Sequence, residues 1–542
     1  MIRRPAAFVM VLALYVLIAA LLAEGVIRVF GLAAPASSPG YFWRTDDPVT
    51  GWSLQPGASG RWFNPMREYD QAITVNARGL RSPEICAAAT GDCPAADDTL
   101  RVLLLGDSYV EALHVPLEAT FGQQLGLALA QAGLAGKSRV EVVNAGVSGW
   151  GTDQQLLWLR SEGVHYRPDL VLLAFFPGND FMNNHMPLEL ANFGGVRKPW
   201  FSLADGALQL NDYPYDREAA RESARRLREA MPAPLDAAPA QVAAPPLVAV
   251  GDWLRAQSAL YRYLDPRLRA AAPGVAVTLA RWGLLQPGQE TSDRAMGPDY
   301  IPVAYGVYRQ EPDATWQAAF DVTAALLTEL HKETTALEAS LAALVLTAPE
   351  QVDTQRWQAE LSRYPAMAGL DWSLDAPTQA ATAALARAGI PALDLLPLFR
   401  AGAAEGAHLH FRDDGHWTAE GHALAGRAAA AFVAAQGLAP LAPGAAVAVP
   451  IPGSRPHLLT WLLWIVLGII AVSVVWSAYQ TGPVAWLRGA VAQFTTVGEL
   501  MVYLVRRRQY VLLPLMVVLL LFGGLLLIAQ SSIVGPFIYP LF

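Results

Sequence analysis

The sequence predicts an α/β fold, a doubly wound parallel sheet with helices on both faces, accompanied by three transmembrane helices. Three observations carry this: short continuous apolar runs bounded by Gly, Pro and Asp, helix-period segments between those runs, and three long apolar stretches without a single charge. Runs such as Arg101-Val-Leu-Leu-Leu105, Val140-Glu-Val-Val143 and Asp169-Leu-Val-Leu-Leu-Ala-Phe-Phe176 have the length and composition of strands buried on both faces of a parallel sheet. Between and after them, Thr120 to Ala132 and Gln154 to Glu162 repeat their apolar residues at helical spacing. Strictly alternating strands and helices imply right-handed crossovers and a layer of helices on each face.

The alternation breaks between about residues 183 and 312. Here lie the amphipathic stretch Arg217 to Met231, a Pro/Ala-rich linker from Pro232 to Pro246 and a helical Trp253 to Leu264, read as an insertion placed over the sheet as a partly mobile lid. The core resumes with a helix over Thr315 to Ala339, a strand at Leu341 to Thr347, a helix near Thr378 to Ala388, a strand at Ile390 to Leu396 and a last helix after His422. Upstream, residues 31–99 form a lead-in whose Gly40 to Pro65 part is rich in aromatics, Pro and Gly. It is followed by a short strand from Ile73 that ends in a turn before Arg81.

At 542 residues with 53% hydrophobic and only 16% charged residues, the chain has more apolar content than a soluble core of this size uses. Pro5 to Ala23, Leu458 to Tyr479 and Tyr510 to Ala529 absorb the excess, each about long enough to cross a bilayer as a helix. The first is too long for the core of a cleaved signal peptide and reads as an anchor within residues 1–30. Basic residues mark the cytoplasmic side of spans. Arg3 and Arg4 sit before the first stretch, and Arg488, Arg506, Arg507 and Arg508 in the 480–509 loop face a single acid, Glu499. Both clusters give one topology: an α/β domain at 100–440 and a linker at 441–457 outside the cytoplasm, a span at 458–479, a cytoplasmic loop, and a final span within 510–542. The expected location is a bacterial inner membrane with the domain extracytoplasmic.

A net charge of -8 with no clustered basic groove argues against a nucleic-acid partner. Cys86 and Cys93 are the only cysteines, and in an oxidising compartment they either pair or stay as thiols.

Chemistry concentrates where the predicted strands end. Gly106-Asp107-Ser108 follows the first buried strand directly, Asn144-Ala-Gly-Val-Ser-Gly149 follows the second, and Gly178-Asn179-Asp180 follows the third. Loops at the carboxyl ends of parallel strands are where ligands bind in open α/β sheets. A serine there, glycines that expose backbone N–H groups and an asparagine amide are the parts an acyl-transfer site requires. About 300 residues later, Asp413-Asp414-Gly415-His416-Trp417 places two acids beside a histidine that could take the serine proton.

Taken in order, these four blocks resemble the signature blocks of the SGNH (GDSL-like) hydrolase superfamily. The resemblance implies Ser108 as nucleophile, His416 as base, and the Ser108 backbone, the Gly149 backbone and the Asn179 side chain as oxyanion donors. The acid is Asp413 if the spacing is that of most members, or Asp414 if it is the Asp-x-His-Trp form of related polysaccharide O-acetyltransferases, which Trp417 favours. No cofactor and no metal are expected, since His408 and His410, even with His416, lack a recognisable ligand pattern. His422 is assigned to helix-start packing and His114 to the surface or the site rim. The implied activity is that of a serine ester hydrolase acting on an acylated glycan or lipid-linked sugar, with O-acyl transfer by the same residues as the alternative and a non-catalytic scaffold as a third. The segment from about Val484 resembles short uncharacterised membrane proteins of biosynthetic clusters, which implies an anchor or a membrane-embedded partner.

Overall fold

The computed structural model describes residues 20–37, 39–85, 98–193, 197–211, 245–442, 444 and 446–453. The expected spans, apart from residues 20–23, lie outside these residues, as do the Cys86/Cys93 pair and the Arg217 to Met231 stretch. Residues 20–29 are helical, and among the described residues no helix is long and apolar enough to cross a membrane. Gly31–Ser454 forms one compact unit.

Its centre is a five-stranded, all-parallel sheet built from β5 (Thr99–Gly106), β6 (Arg139–Gly146), β7 (Leu170–Phe175), β10 (Ser340–Val345) and β11 (Ala392–Asp394). The spatial order is β11-β10-β7-β5-β6, so the chain steps from β5 to β6 on one side and then crosses to β7 on the other. That reversal makes the carboxyl end of β5 a topological switch point, the place where such sheets bind ligands. Every residue of β5 and β7 is buried. Successive side chains point to opposite faces. Leu103, Leu105, Val171 and Leu173 join one core with the helices Thr152–Ser161, Ala314–Ala336 and Ala376–Arg387, while Val102, Leu104, Leu170 and Leu172 join a second core with Phe121–Ala132 and Ala419–Ala435. The doubly wound arrangement follows from this two-sided burial.

Strand positions match the sequence reading to within a few residues, and two differences have local causes. The strand expected from Ile73 is β4 (Asp70–Thr74), which starts earlier and pairs antiparallel with β3 (Ser59–Phe63). It ends because the Asn76 side chain accepts from the amides of Arg78 (3.0 Å) and Leu80 (2.9 Å), bonds that compete with a ladder. The single helix expected over Trp253 to Leu264 is two, Val248–Gln257 and Ala259–Ala271, divided at Ser258. Ser258 is the N-cap of the second helix, its hydroxyl accepting from the Tyr261 amide. The last helix likewise begins before His422, at Ala419, where Thr418 caps it.

The described part of the lead-in carries two hairpins. β1 (Trp43–Asp47) and β2 (Gly51–Leu54) form one hairpin, β3 and β4 another. Trp43 and Trp62 pack edge to face, with ring centres 5.7 Å apart. The start of the insertion is also fixed in place. Just before the hairpin of β8 (Trp200–Ala204) and β9 (Ala207–Asn211), Lys198 is fully buried between Asp153 and Glu189, 2.9 Å from each.

Candidate active site

Ser108 opens the four-residue helix Ser108–Glu111 immediately after β5. Asp107 caps that helix through its side chain, accepting from the Tyr109 amide at 2.9 Å. Close packing of this helix on the sheet requires glycine at position 146: a Cβ there would lie 2.3 Å from the Val110 Cβ. Asn144 ties β6 to the same helix, its amide donating to the Val110 carbonyl at 2.7 Å. Buried Arg81 donates to the carbonyls of Glu111 (2.8 Å), Ala112 and Val115, which closes the helix at its far end. Burial lowers this guanidinium to about 10 despite the pull of Glu111.

A continuous hydrogen-bonded chain leaves from the serine. Ser108 Oγ lies 2.8 Å from His416 Nε2, and His416 Nδ1 lies 2.6 Å from Asp414 Oδ1. The Asp414 carboxylate also accepts from the His416 amide at 3.2 Å and from the Tyr69 hydroxyl at 2.8 Å. Burial alone would raise Asp414, but the hydrogen bond and charge of His416, with His114 and Tyr69 behind them, hold it well below the usual carboxylate range. It therefore stays ionised and ready to stabilise an imidazolium. Tyr69, in turn, is pushed far above the ordinary tyrosine value by burial and by Asp414, so its proton remains available for donation.

Asp413 stands outside this chain. Its side chain is exposed, and it is raised by partial burial and by the neighbouring charges of Glu68 and Asp414. Its backbone helps to shape the loop: Glu68 accepts from the amides of Arg412, Asp413 and Asp414. Of the two acids left open by the sequence, the geometry joins Asp414 to the histidine.

The imidazole of His416 contacts two rings. His114 stacks on it, with centres 4.0 Å apart and planes at 15°, and the Tyr109 ring lies 4.9 Å away, tilted by 40°. His114 is buried, not on the surface or rim as its sequence context suggested, because the turn after the Ser108–Glu111 helix folds it under the Asp414 loop. Its Nε2 lies 3.5 Å from Asp414 Oδ1, and burial together with His416 keeps its pKa well below the ordinary value. Among the described residues, His114, Asp414 and His416 are the group close enough to share a metal ion, whereas His408 and His410 join no such group. His410 is half-buried against Thr347, and His422 packs flat on Phe121, accepting its amide at 3.3 Å.

The remaining expected donors lie in the next two loops. Asn179 donates through Nδ2 to Asp107 Oδ2 at 2.9 Å, which leaves one amide hydrogen uncommitted to Asp107. Asp107 is fully buried and raised by that burial, with Tyr109 and Asn179 opposing the shift. Gly149 has φ +78, a backbone shape that favours glycine. Ser108, Gly149, Asn179 and His416 are all half-buried, as a site that admits substrate requires. Such an assembly can hand a serine proton to an imidazole and offer N–H groups to a developing oxyanion.

Sequence reasoning missed Tyr69, Glu68 and His114. Tyr69 and Glu68 belong to the lead-in and meet residues about 345 positions away, and no local spacing announces such a contact. The aromatic density of Gly40 to Pro65 was the one available signal that the segment packs on something.

The segment that carries Asp414 and His416 is similar to a described family. Residues 308–457 match the family described as "SGNH hydrolase-like domain, acetyltransferase AlgX". Residues 494–542 match a family of unknown function (DUF5989). No curated protein matches the chain. Among solved structures, the lipase/acylhydrolase from Enterococcus faecalis aligns at 12% identity and a TM-score of 0.28, over 62% of this chain and 96% of its own. A catalytic mutant of Axe2, an acetylxylan esterase from Geobacillus stearothermophilus, aligns at 11% identity and a TM-score of 0.27, over 64% of this chain and 94% of its own. LAE5, an alpha/beta hydrolase enzyme from the metagenome of Lake Arreo, Spain, aligns at 13% identity and a TM-score of 0.27, over 62% and 95%. The matched segment and the assembled side chains together support an ester-acting hydrolase or acyltransferase.

Proposed function

We propose that the chain is a membrane-anchored, extracytoplasmic serine ester hydrolase that removes acyl groups from an envelope glycan or lipid-linked sugar. The observation that carries this reading is the unbroken chain from Ser108 Oγ through His416 to Asp414. In it, Ser108 Oγ attacks the ester carbonyl while its proton passes to His416 Nε2. The oxyanion is met by the backbone N–H groups of Ser108 and Gly149 and by the Asn179 amide. His416 then gives its proton to the departing sugar hydroxyl, leaving an acyl-serine. Water then attacks the acyl carbon as its proton passes to His416, the bond to Ser108 Oγ breaks as His416 returns that proton to the serine, and Asp414 stabilises the imidazolium at each stage. Acyl chemistry is supported by the acetyltransferase named in the matched family. An acylated glycan or lipid-linked sugar is the class of ester that a domain held at the envelope meets. Anchoring and exported location are supported by the charge-free apolar stretches and the two arginine clusters.

A second reading is O-acyl transfer, in which a sugar hydroxyl replaces water in the last step. The family matched over residues 308–457 and the use of Asp414, two residues before His416, favour it. Incubating the full-length protein with p-nitrophenyl acetate, with and without oligosaccharide acceptors, and weighing the products by mass spectrometry separates the two. Free acetate at a rate unaffected by acceptor supports hydrolysis, acetylated oligosaccharide supports transfer, and no turnover in either arm contradicts both. A reporter fused after Ala446 that reads as cytoplasmic would overturn the exported location.

A further inference from the structure

Within the proposed reading, Gly149 supplies a backbone N–H to the oxyanion, and the direction of that N–H is set by a residue outside the sheet. Ser148 C=O and Gly149 N–H belong to one peptide group, which is planar and trans, so the two point in opposite directions. Whatever holds the carbonyl therefore aims the N–H. The Trp52 indole Nε1, from β2 of the lead-in, donates to the Ser148 carbonyl at 2.9 Å. The same ring lies over the glycine: a Cβ at Gly149 would sit 3.6 Å from Trp52 Cζ2.

The preceding peptide is held from the opposite side. Ser148 N–H donates to Glu111 Oε2 at 3.1 Å, the Ser148 hydroxyl donates to the same oxygen, and Trp43 Nε1 holds Glu111 Oε1 at 2.8 Å. Side-chain donors hold the main chain of the hairpin in register with this loop: Trp150 Nε1 donates to the Trp52 carbonyl at 2.9 Å, and Gln154 Nε2 donates to the Thr50 carbonyl at 2.7 Å. The Ser148 amide and carbonyl are thus both engaged, and the Gly149 N–H has one direction left to it.

We infer that Trp52 is a positioning residue that aims the Gly149 N–H at the oxyanion, which makes the β1–β2 hairpin part of the active site. Its contribution appears in the transition state and not in ground-state binding, because an ester carbonyl gains its negative charge only during attack.

Trp52→Phe keeps an aromatic ring and removes the N–H. Steady-state kinetics with p-nitrophenyl acetate should show kcat lowered about tenfold to a hundredfold, somewhat less than outright loss of an oxyanion donor, with KM nearly unchanged. The inhibition constant of a trifluoromethyl ketone, which forms an oxyanion on the serine, should rise by the same factor as kcat/KM falls, while Tm stays at the wild-type value. An unaltered kcat, or a lowered kcat with unaltered ketone affinity, overturns the assignment. If Trp52→Phe does not fold, Glu111→Gln is measured in the same way, since it loosens the other side of Ser148, and the same two results decide. Ser108→Ala is run alongside: persistence of turnover in that variant refutes the acyl-serine reading itself, whereas its loss beside an unaffected Trp52→Phe refutes only the role of Trp52.

Discussion

The Tyr69 hydroxyl donates to Asp414 Oδ2 at 2.8 Å, linking residues 345 positions apart and joining the lead-in to the carboxylate that faces His416. Because the other oxygen of Asp414 accepts from His416, this bond fixes the plane of the carboxylate and favours its charged form. Tyr69→Phe should lower kcat about tenfold, the usual scale for a hydrogen bond to a charged group, with little effect on KM. Stopped or steady-state assays with a chromogenic ester check this, and an unchanged kcat would show that His416 alone orients Asp414.

The two adjacent acids should behave very differently. Asp414→Asn removes the charge that stabilises the imidazolium and should cut turnover by about a thousandfold or more. Asp413→Asn alters an exposed side chain that does not touch His416, and its rate should stay close to wild type. Reversal of this order would show that the loop rearranges when substrate binds.

Stacking on His416 predicts a graded series at position 114. His114→Phe keeps a ring against His416 and should retain most of the activity, whereas His114→Ala leaves the imidazole free to tilt and should lose about tenfold, the scale of an aromatic pair. Equal rates for the two variants would mean that the stack has no part in holding the base.

Much of this fold was legible in the sequence, for a physical reason. Strands such as Val102 to Leu105 are buried on both faces, so composition alone reveals them, and the residues just after them must gather at one sheet edge. Ser108 and the loops that carry Gly149 and Asn179 were found that way, whereas His416 was read from the Asp-Gly-His-Trp turn and the family resemblance. The choice between Asp413 and Asp414 was not decidable from spacing, because both lie in one tight turn beside the histidine and only their side-chain directions tell them apart. Tyr69, Glu68 and Trp52 were invisible for another reason. Their partners are distant in sequence, and a tyrosine just before a short strand or a tryptophan within one looks the same whether it meets solvent or a catalytic loop.

Buried charge gives a pH prediction. Burial lifts the Glu111 carboxyl to about 7 from 4.5, outweighing the hydrogen bonds from Ser148 and Trp43. Between those two values the folded chain holds a proton that the unfolded chain has released, so this group's contribution to stability falls as pH rises through the window. Glu189, also raised to about 7 by burial, adds in the same direction. Urea midpoints from pH 4.5 to 7.5 should therefore fall less steeply for Glu111→Gln than for wild type, and parallel slopes would contradict an elevated Glu111.

The central claim is that Ser108 is a nucleophile activated by His416. Its most direct measurement is covalent labelling by a fluorophosphonate, with the modified peptide identified by mass spectrometry. A single adduct on Ser108, absent from Ser108→Ala and formed at least about a hundredfold more slowly in His416→Ala, is the predicted result. An adduct on another residue, or labelling of His416→Ala at the wild-type rate, would contradict it.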